Sequence, residues 1–94
     1  MGTSEGTHRT ERSLTPEQAF GITLRRIRLR RGQSQQWLAD KSGYHRTYVG
    51  LLERGEKSPS LRTIFDIAAT LQVKPSRIVK AVEQEFSRAQ GKSH

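Results

Sequence analysis

The chain of 94 residues has no cysteine, a single tryptophan, and only 9 acidic residues against 17 lysines and arginines. Without cysteine there is no disulfide framework and no thiolate to hold a metal, which fits a reducing compartment. The histidines His8, His45 and His94 are scattered and lack the spacing of zinc ligands. Aromatic residues amount to 6% of the chain, too sparse and too dispersed for a platform on which single-stranded bases stack. No apolar run approaches the roughly 18 residues of a membrane span. The N-terminus lacks the apolar segment of a signal peptide. Gly6 stands where a myristoylation signal beginning Met1, Gly2 requires Ser or Thr. Also missing are a poised acid pair, a phosphate-cradling glycine loop and a serine in a His–Asp context, so the chain reads as a non-enzyme without cofactor or metal.

What remains is strong positive charge. The formal net charge is +8 and the isoelectric point about 10.9, a balance that favours a polyanionic partner such as DNA, RNA or an anionic surface. The length allows one small domain. No stretch carries a strand signal, so the expected fold class is all-α, a compact bundle of five helices.

Residues 1–13 are polar, with no apolar periodicity, and read as a disordered arm. Arg9 and Arg12 would let such an arm reach a duplex, but a solvated tail is the favoured reading. Thr15, Pro16 and Glu17 supply an N-cap, a first-turn proline and a first-turn acid for a helix running to about Arg31, with Gly32 as its stop. Phe20, Leu24 and Ile27 recur at i, i+4, i+7 as its inward face. A second helix starts after Ser34, with Leu38 and Ala39 inward and Trp37 on its outer side as a half-buried lid. After a turn at Ser42, Gly43 and Tyr44, a third helix spans about Arg46 to Arg54. Its Val49 and Leu52 point one way with Tyr48 beside them, while Arg46, Thr47, Gly50, Leu51 and Arg54 point the other. Ser60 caps a fourth helix with Leu61, Ile64, Ile67, Ala68 and Leu71 inward. Pro75 opens a fifth, in which Ile78, Val82 and Phe86 line up. The domain is expected to end near residue 86, with residues 87–94 a fraying tail.

The second and third helices carry the functional signal. A small residue at Ala39, a turn glycine at Gly43, then Val49 and Leu52 as anchors match the spacing of a DNA-binding helix-turn-helix. An ordinary αα-hairpin shares part of that pattern. The flanks add the run Arg28, Gly32, Ser34, Gln35, then Glu53, Arg54, Gly55, and Pro59, Ser60, Leu61. Together, over roughly residues 20–79, these motifs resemble the phage-repressor/Cro-like helix-turn-helix family, also called the xenobiotic-response-element type. The departures are Gln33 at a usually apolar position, Tyr44 at a usually small aliphatic one, and Gly50 inside the third helix.

The resemblance implies a lambda-repressor-like DNA-binding domain in a cytoplasmic, bacterial or phage-encoded transcriptional regulator. It implies that Arg28 pairs with Glu53 as a structural pair. The third helix would enter the major groove, with Arg46, Thr47, Gly50 and Leu51 at base edges and Arg46 bidentate on guanine. Gln35, His45, Tyr48, Arg54 and Lys57 would hold phosphates. Phe65, Ile78, Val82 and Phe86 form the expected homodimer surface, and a dimer would read a palindromic double-stranded operator. No small-molecule ligand domain is expected. Phage-type repressors, antitoxins and controllers of restriction–modification operons share this plan, and residues 45–49, His-Arg-Thr-Tyr-Val, look somewhat like the controller group. An antitoxin-type interaction module and a non-specific basic nucleic-acid binder are the alternatives.

Overall fold

In the computed structural model, which describes residues 14–91, Thr15 opens the first helix with a reciprocal cap. Its hydroxyl accepts the Gln18 amide at 3.0 Å, and its own amide donates to Gln18 Oε1 at 2.9 Å. With Pro16 at the first helical position, this fixes the start of α1, Pro16–Arg30. The helix stops at Gly32, whose φ of 70° lies in the left-handed region. Ser34 then caps α2, Gln35–Ser42, by accepting the Trp37 amide at 2.9 Å. Gly43, at φ 85°, ends α2 and turns the chain. α3 spans Arg46–Glu53 and α4 spans Leu61–Leu71, capped by Ser60 on the Thr63 amide at 3.0 Å. α5, Pro75–Ala89, begins with proline as its first residue. No strand occurs among the described residues.

α1 lies against α5 and α3, α2 against α3 and α4, and α4 against α5. Phe20 and Leu24 of α1, Leu38 of α2, Val49 and Leu52 of α3, Ile67 and Leu71 of α4 and Ile78 of α5 meet in one core. Each such side chain removed from water contributes on the order of 1.5–3 kcal/mol before the entropy of ordering is subtracted. Ala39 and Ala68 are buried as well, where small side chains let neighbouring helices approach. Trp37 is half-buried against the core.

Three expectations are corrected here. Leu61 is 71% exposed rather than inward. At about 100° per residue it lies roughly 200° from buried Thr63 and only about 40° from Phe65, so it shares the outer face. Ile78 belongs to the core, 1% exposed, rather than to a surface between subunits. α5 does not end at residue 86 but continues through Ala89. Gln90 Nε2 then reaches back to the Leu14 carbonyl at 3.4 Å, joining the two ends of the described chain. The arm arginines Arg9 and Arg12, with His8 and His94, lie outside the described residues.

Candidate nucleic-acid interface

The third helix is held by a buried ion pair. Arg28 Nε meets Glu53 Oε2 at 2.6 Å, and Arg28 NH2 meets Glu53 Oε1 at 2.9 Å. The two side chains are only 6% and 3% exposed. Arg28 NH1 also donates to the Gln33 carbonyl at 2.8 Å, and Gln35 Nε2 donates to Glu53 Oε1 at 2.9 Å. The Arg28–Glu53 pair thus ties α1, the link into α2 and the first turn of α2 to the end of α3. The hydrogen bond that Arg28 donates to Glu53 raises the Arg28 pKa above its already high ordinary value. Burial opposes that effect and the Glu53 charge adds to it. The guanidinium stays charged, and a buried charge without its partner would be costly.

With Val49 and Leu52 committed to the core, α3 turns its opposite side outward. His45, Arg46 and Thr47 are exposed at its N-terminal end, and Arg54 and Lys57 are exposed beyond its C-terminal end. Leu51 is half-buried. Arg46 and Lys57 make no ion pair among the described residues, while Arg54 Nε approaches Glu56 Oε2 at 3.2 Å in a solvent-exposed pair. Exposed pairs of that kind are worth about 0–1 kcal/mol and yield readily to a phosphate.

Gly50 is buried, not open on this face. A β-carbon there would stand 3.1 Å from Arg54 NH1 and 3.8 Å from Gln35 Oε1. The close approach that its missing side chain permits is therefore made by Arg54 and Gln35. Tyr48 also departs from its expected role. It is half-buried against the core, and its hydroxyl is 3.2 Å from Thr63 Oγ1.

Around Thr63 lies a polar cluster that the sequence did not disclose. Tyr44 donates to Asp66 Oδ2 at 2.7 Å, its oxygen lies 3.4 Å from Thr63 Oγ1, and Ser60 Oγ lies 2.9 Å from the same Thr63 oxygen. The Tyr44 and Tyr48 rings stand 5.2 Å apart at 34°. Tyr44 in place of a small aliphatic residue was the available signal, but its partners lie 19 and 22 residues away. The cluster braces the turn and the N-terminal half of α3 against α4. Gln35 and Glu53 brace the other half.

The geometry is that of a DNA-binding helix-turn-helix: a short helix with an exposed, basic N-terminal end, fixed at both halves by buried or half-buried polar contacts. Residues 24–78 match the helix-turn-helix family HTH_3, and the chain belongs to that family. It is similar to the control protein C.BamHI of Bacillus amyloliquefaciens, 39% identical over 61 residues covering 64% of this chain and 75% of the relative. Its fold matches the crystal structure of the restriction-modification controller C.AhdI from Aeromonas hydrophila, with a TM-score of 0.65 and 40% identity over 66% of this chain and 94% of that one. The controller C.Esp1396I, solved as a tetramer on its natural 35 base-pair operator, shares the fold at a TM-score of 0.71 and 24% identity, over 79% of this chain and 97% of that one. This chain is a DNA-binding transcriptional regulator of the phage-repressor-like type. No group of potential ligands for a metal ion, and no helix long and apolar enough to cross a membrane, occurs among the described residues.

Proposed function

We propose that the chain binds a double-stranded operator as a homodimer, with α3 of each subunit in the major groove of one half-site. It acts by binding alone, without catalysis. The observation that carries this is the exposure of Arg46 and Thr47 at the N-terminal end of a helix whose other side is locked to the core. A guanidinium so placed can bond guanine O6 and N7 together, while Thr47 can bond a base or touch a thymine methyl. Leu51 adds apolar contact. Gln35, His45, Arg54 and Lys57 are suited to phosphates, which set register without reading sequence.

For the dimer, exposed Leu61 and Phe65 on α4 and Val79 on α5, at 71%, 54% and 50% exposure, favour pairing through the α4–α5 face, with half-buried Val82 and Phe86 beside them. Two-fold pairing implies inverted half-sites about one helical turn apart. Control of a restriction–modification operon is the favoured physiological setting, supported by the likeness to the control proteins. Selection of bound duplexes from a random pool tests the reading. It should return a motif with two-fold symmetry and a guanine in each half. A pool that returns no motif would reduce the chain to a non-specific binder.

A further inference from the structure

A second basic surface lies away from the helix-turn-helix. The end of α1, the α4–α5 link and the first half of α5 enclose a groove of about 340 Å³. Ile27, Val73, Ile78 and Ala81 form its apolar floor and sides. Arg30 and Arg31 stand on one wall and Arg77 on the other; no acid lines the groove and no residue of α2 or α3 reaches it. Arg30 and Arg77 have no ion-pair partner among the described residues; Glu85 of α5 pairs with Arg26 at 3.1 Å and with Arg88 at 2.6 Å.

One wall is held in place. Arg31 NH1 donates to Gln72 Oε1 at 3.2 Å, and NH2 reaches the Gln72 carbonyl at 3.5 Å. Gln72 is the one non-glycine residue at positive φ among the described residues, at 60°. A side chain other than glycine or asparagine in that conformation is strained, and here it supplies the acceptor that fixes the Arg31 guanidinium beside the groove.

We propose that this groove docks an acidic peptide segment of a partner protein, with one apolar anchor in the floor and carboxylates on the arginines of both walls. The charge fits only an anion, and two facing walls of guanidinium suit carboxylates placed on either side of the anchor. A bare phosphodiester would satisfy the arginines but leave the floor of Ile27, Val73, Ile78 and Ala81 without a contact. Because α2 and α3 take no part, the segment can bind while the recognition helix is on DNA. The proposal stands independently of the operator reading.

The test uses the full chain and a short labelled peptide in which Leu alternates with Glu, followed by fluorescence anisotropy at physiological salt. A control peptide carries Ser for every Leu at the same charge. The Leu peptide should bind at least about tenfold more tightly than the control. Arg77→Glu and Arg30→Glu should each weaken it by about tenfold or more, because like charges would then face each other. Ala81→Trp keeps every charge but fills the floor, and should lose the preference for Leu over Ser. Circular dichroism checks that variant, and the two surface arginine variants decide the matter if it misfolds. Methyl shifts at Val73 and Ile78 should follow the Leu peptide alone. Equal binding of both peptides would overturn the proposal. So would full displacement by an unrelated duplex, which would make the groove a phosphate tract. Operator binding measured on Ala81→Trp should be unchanged, which separates failure here from failure of the DNA reading.

Discussion

Gly21 of α1 and Glu53 of α3 meet backbone to backbone. A β-carbon on Gly21 would overlap the Glu53 carbonyl and stand 2.5 Å from the Leu52 carbonyl oxygen. The two helices can cross this closely only without a side chain there, and the same crossing brings Arg28 within reach of Glu53. Neither carbonyl is the flexible end of a side chain, so the structure must shift to admit a methyl. Gly21→Ala should destabilise by about 1–3 kcal/mol or more, read as a lowered urea midpoint. Gly50→Ala is the contrast. Its new methyl would press on the guanidinium end of Arg54, which can move, and alanine gains up to about 1 kcal/mol of helix propensity. Its midpoint should hold or rise; a result in which both glycines behave alike would deny the special closeness at Gly21.

Removing one partner of the buried ion pair strands the other. Arg28→Ala leaves Glu53 charged, 3% exposed, with Gln35 as its one remaining side-chain donor. The expected loss is about 3–5 kcal/mol. Arg25→Ala and Arg30→Ala remove exposed charges and should stay within about 0.5 kcal/mol of the parent. Thermal melts of the three variants check this. Three equal melting temperatures would contradict the assignment.

The Tyr44 phenol gives a dependence on alkaline pH. Its hydrogen bond with Thr63 pulls the pKa down, but the Asp66 hydrogen bond, burial and the neighbouring Asp66 charge outweigh it and hold the group above its ordinary value of 10.0. The folded state therefore keeps the proton more tightly than the unfolded chain does. That contribution is complete below about pH 10 and is lost as pH rises through the raised folded value. Tyr44→Phe should lower stability at neutral pH by about 1 kcal/mol, the net worth of a typical hydrogen bond. Its denaturant midpoint should then fall less steeply than the parent's above about pH 10. A parent and variant with parallel alkaline profiles would mean that Asp66 does not hold the phenol.

These three sites differ in how far the sequence disclosed them. Arg28 and Glu53 were visible because the resemblance carried the pair, and the helix starts at Pro16, Gln35 and Pro75 were visible because caps and prolines act locally. Gly21 gave no signal, since a glycine in mid-helix says nothing of which backbone lies opposite. Tyr44 stood out, but Asp66 is 22 residues away and only packing brings them together. Leu61 and Ile78 were misjudged for one reason. An apolar stripe read at i, i+4 fixes which residues share a face, not which of two adjacent faces meets the core. Gly50 was assigned outward by angle alone, whereas Arg54 and Gln35 cover it. Tyr48 was placed by angle beside Val49 and Leu52, and only the resemblance gave it a phosphate, whereas its hydroxyl engages Thr63.

The corrected α4–α5 face changes the expected dimer variants. Phe65 is 54% exposed, so Phe65→Asp should preserve helix content while lowering the apparent mass in solution and weakening operator binding. Ile78→Asp places a carboxylate in the core and should unfold the chain instead. Phe86 is half-buried, and Phe86→Asp should show some of both effects. Analytical ultracentrifugation with circular dichroism separates the cases. Parent protein that stays monomeric at high micromolar concentration would remove the homodimer.

The functional reading turns on Arg46 against Lys57. Both side chains are exposed and unpaired among the described residues, so neither substitution should disturb the fold. A bidentate arginine–guanine contact discriminates by about 1–3 kcal/mol against the wrong base. Arg46→Ala should lose that much affinity per half-site for the selected operator and little for a scrambled duplex. Preference should relax at one guanine position, symmetrically if two subunits bind. Lys57 sits in the loop between α3 and α4, and a phosphate contact from there carries no base identity. Lys57→Ala should weaken both duplexes about equally and reduce the salt slope by about one unit per subunit. Titration of both variants on both duplexes across a salt series makes the comparison. If Arg46→Ala weakens the two duplexes equally, Arg46 contributes charge rather than recognition, and the reading of sequence must lie with Thr47 and Leu51.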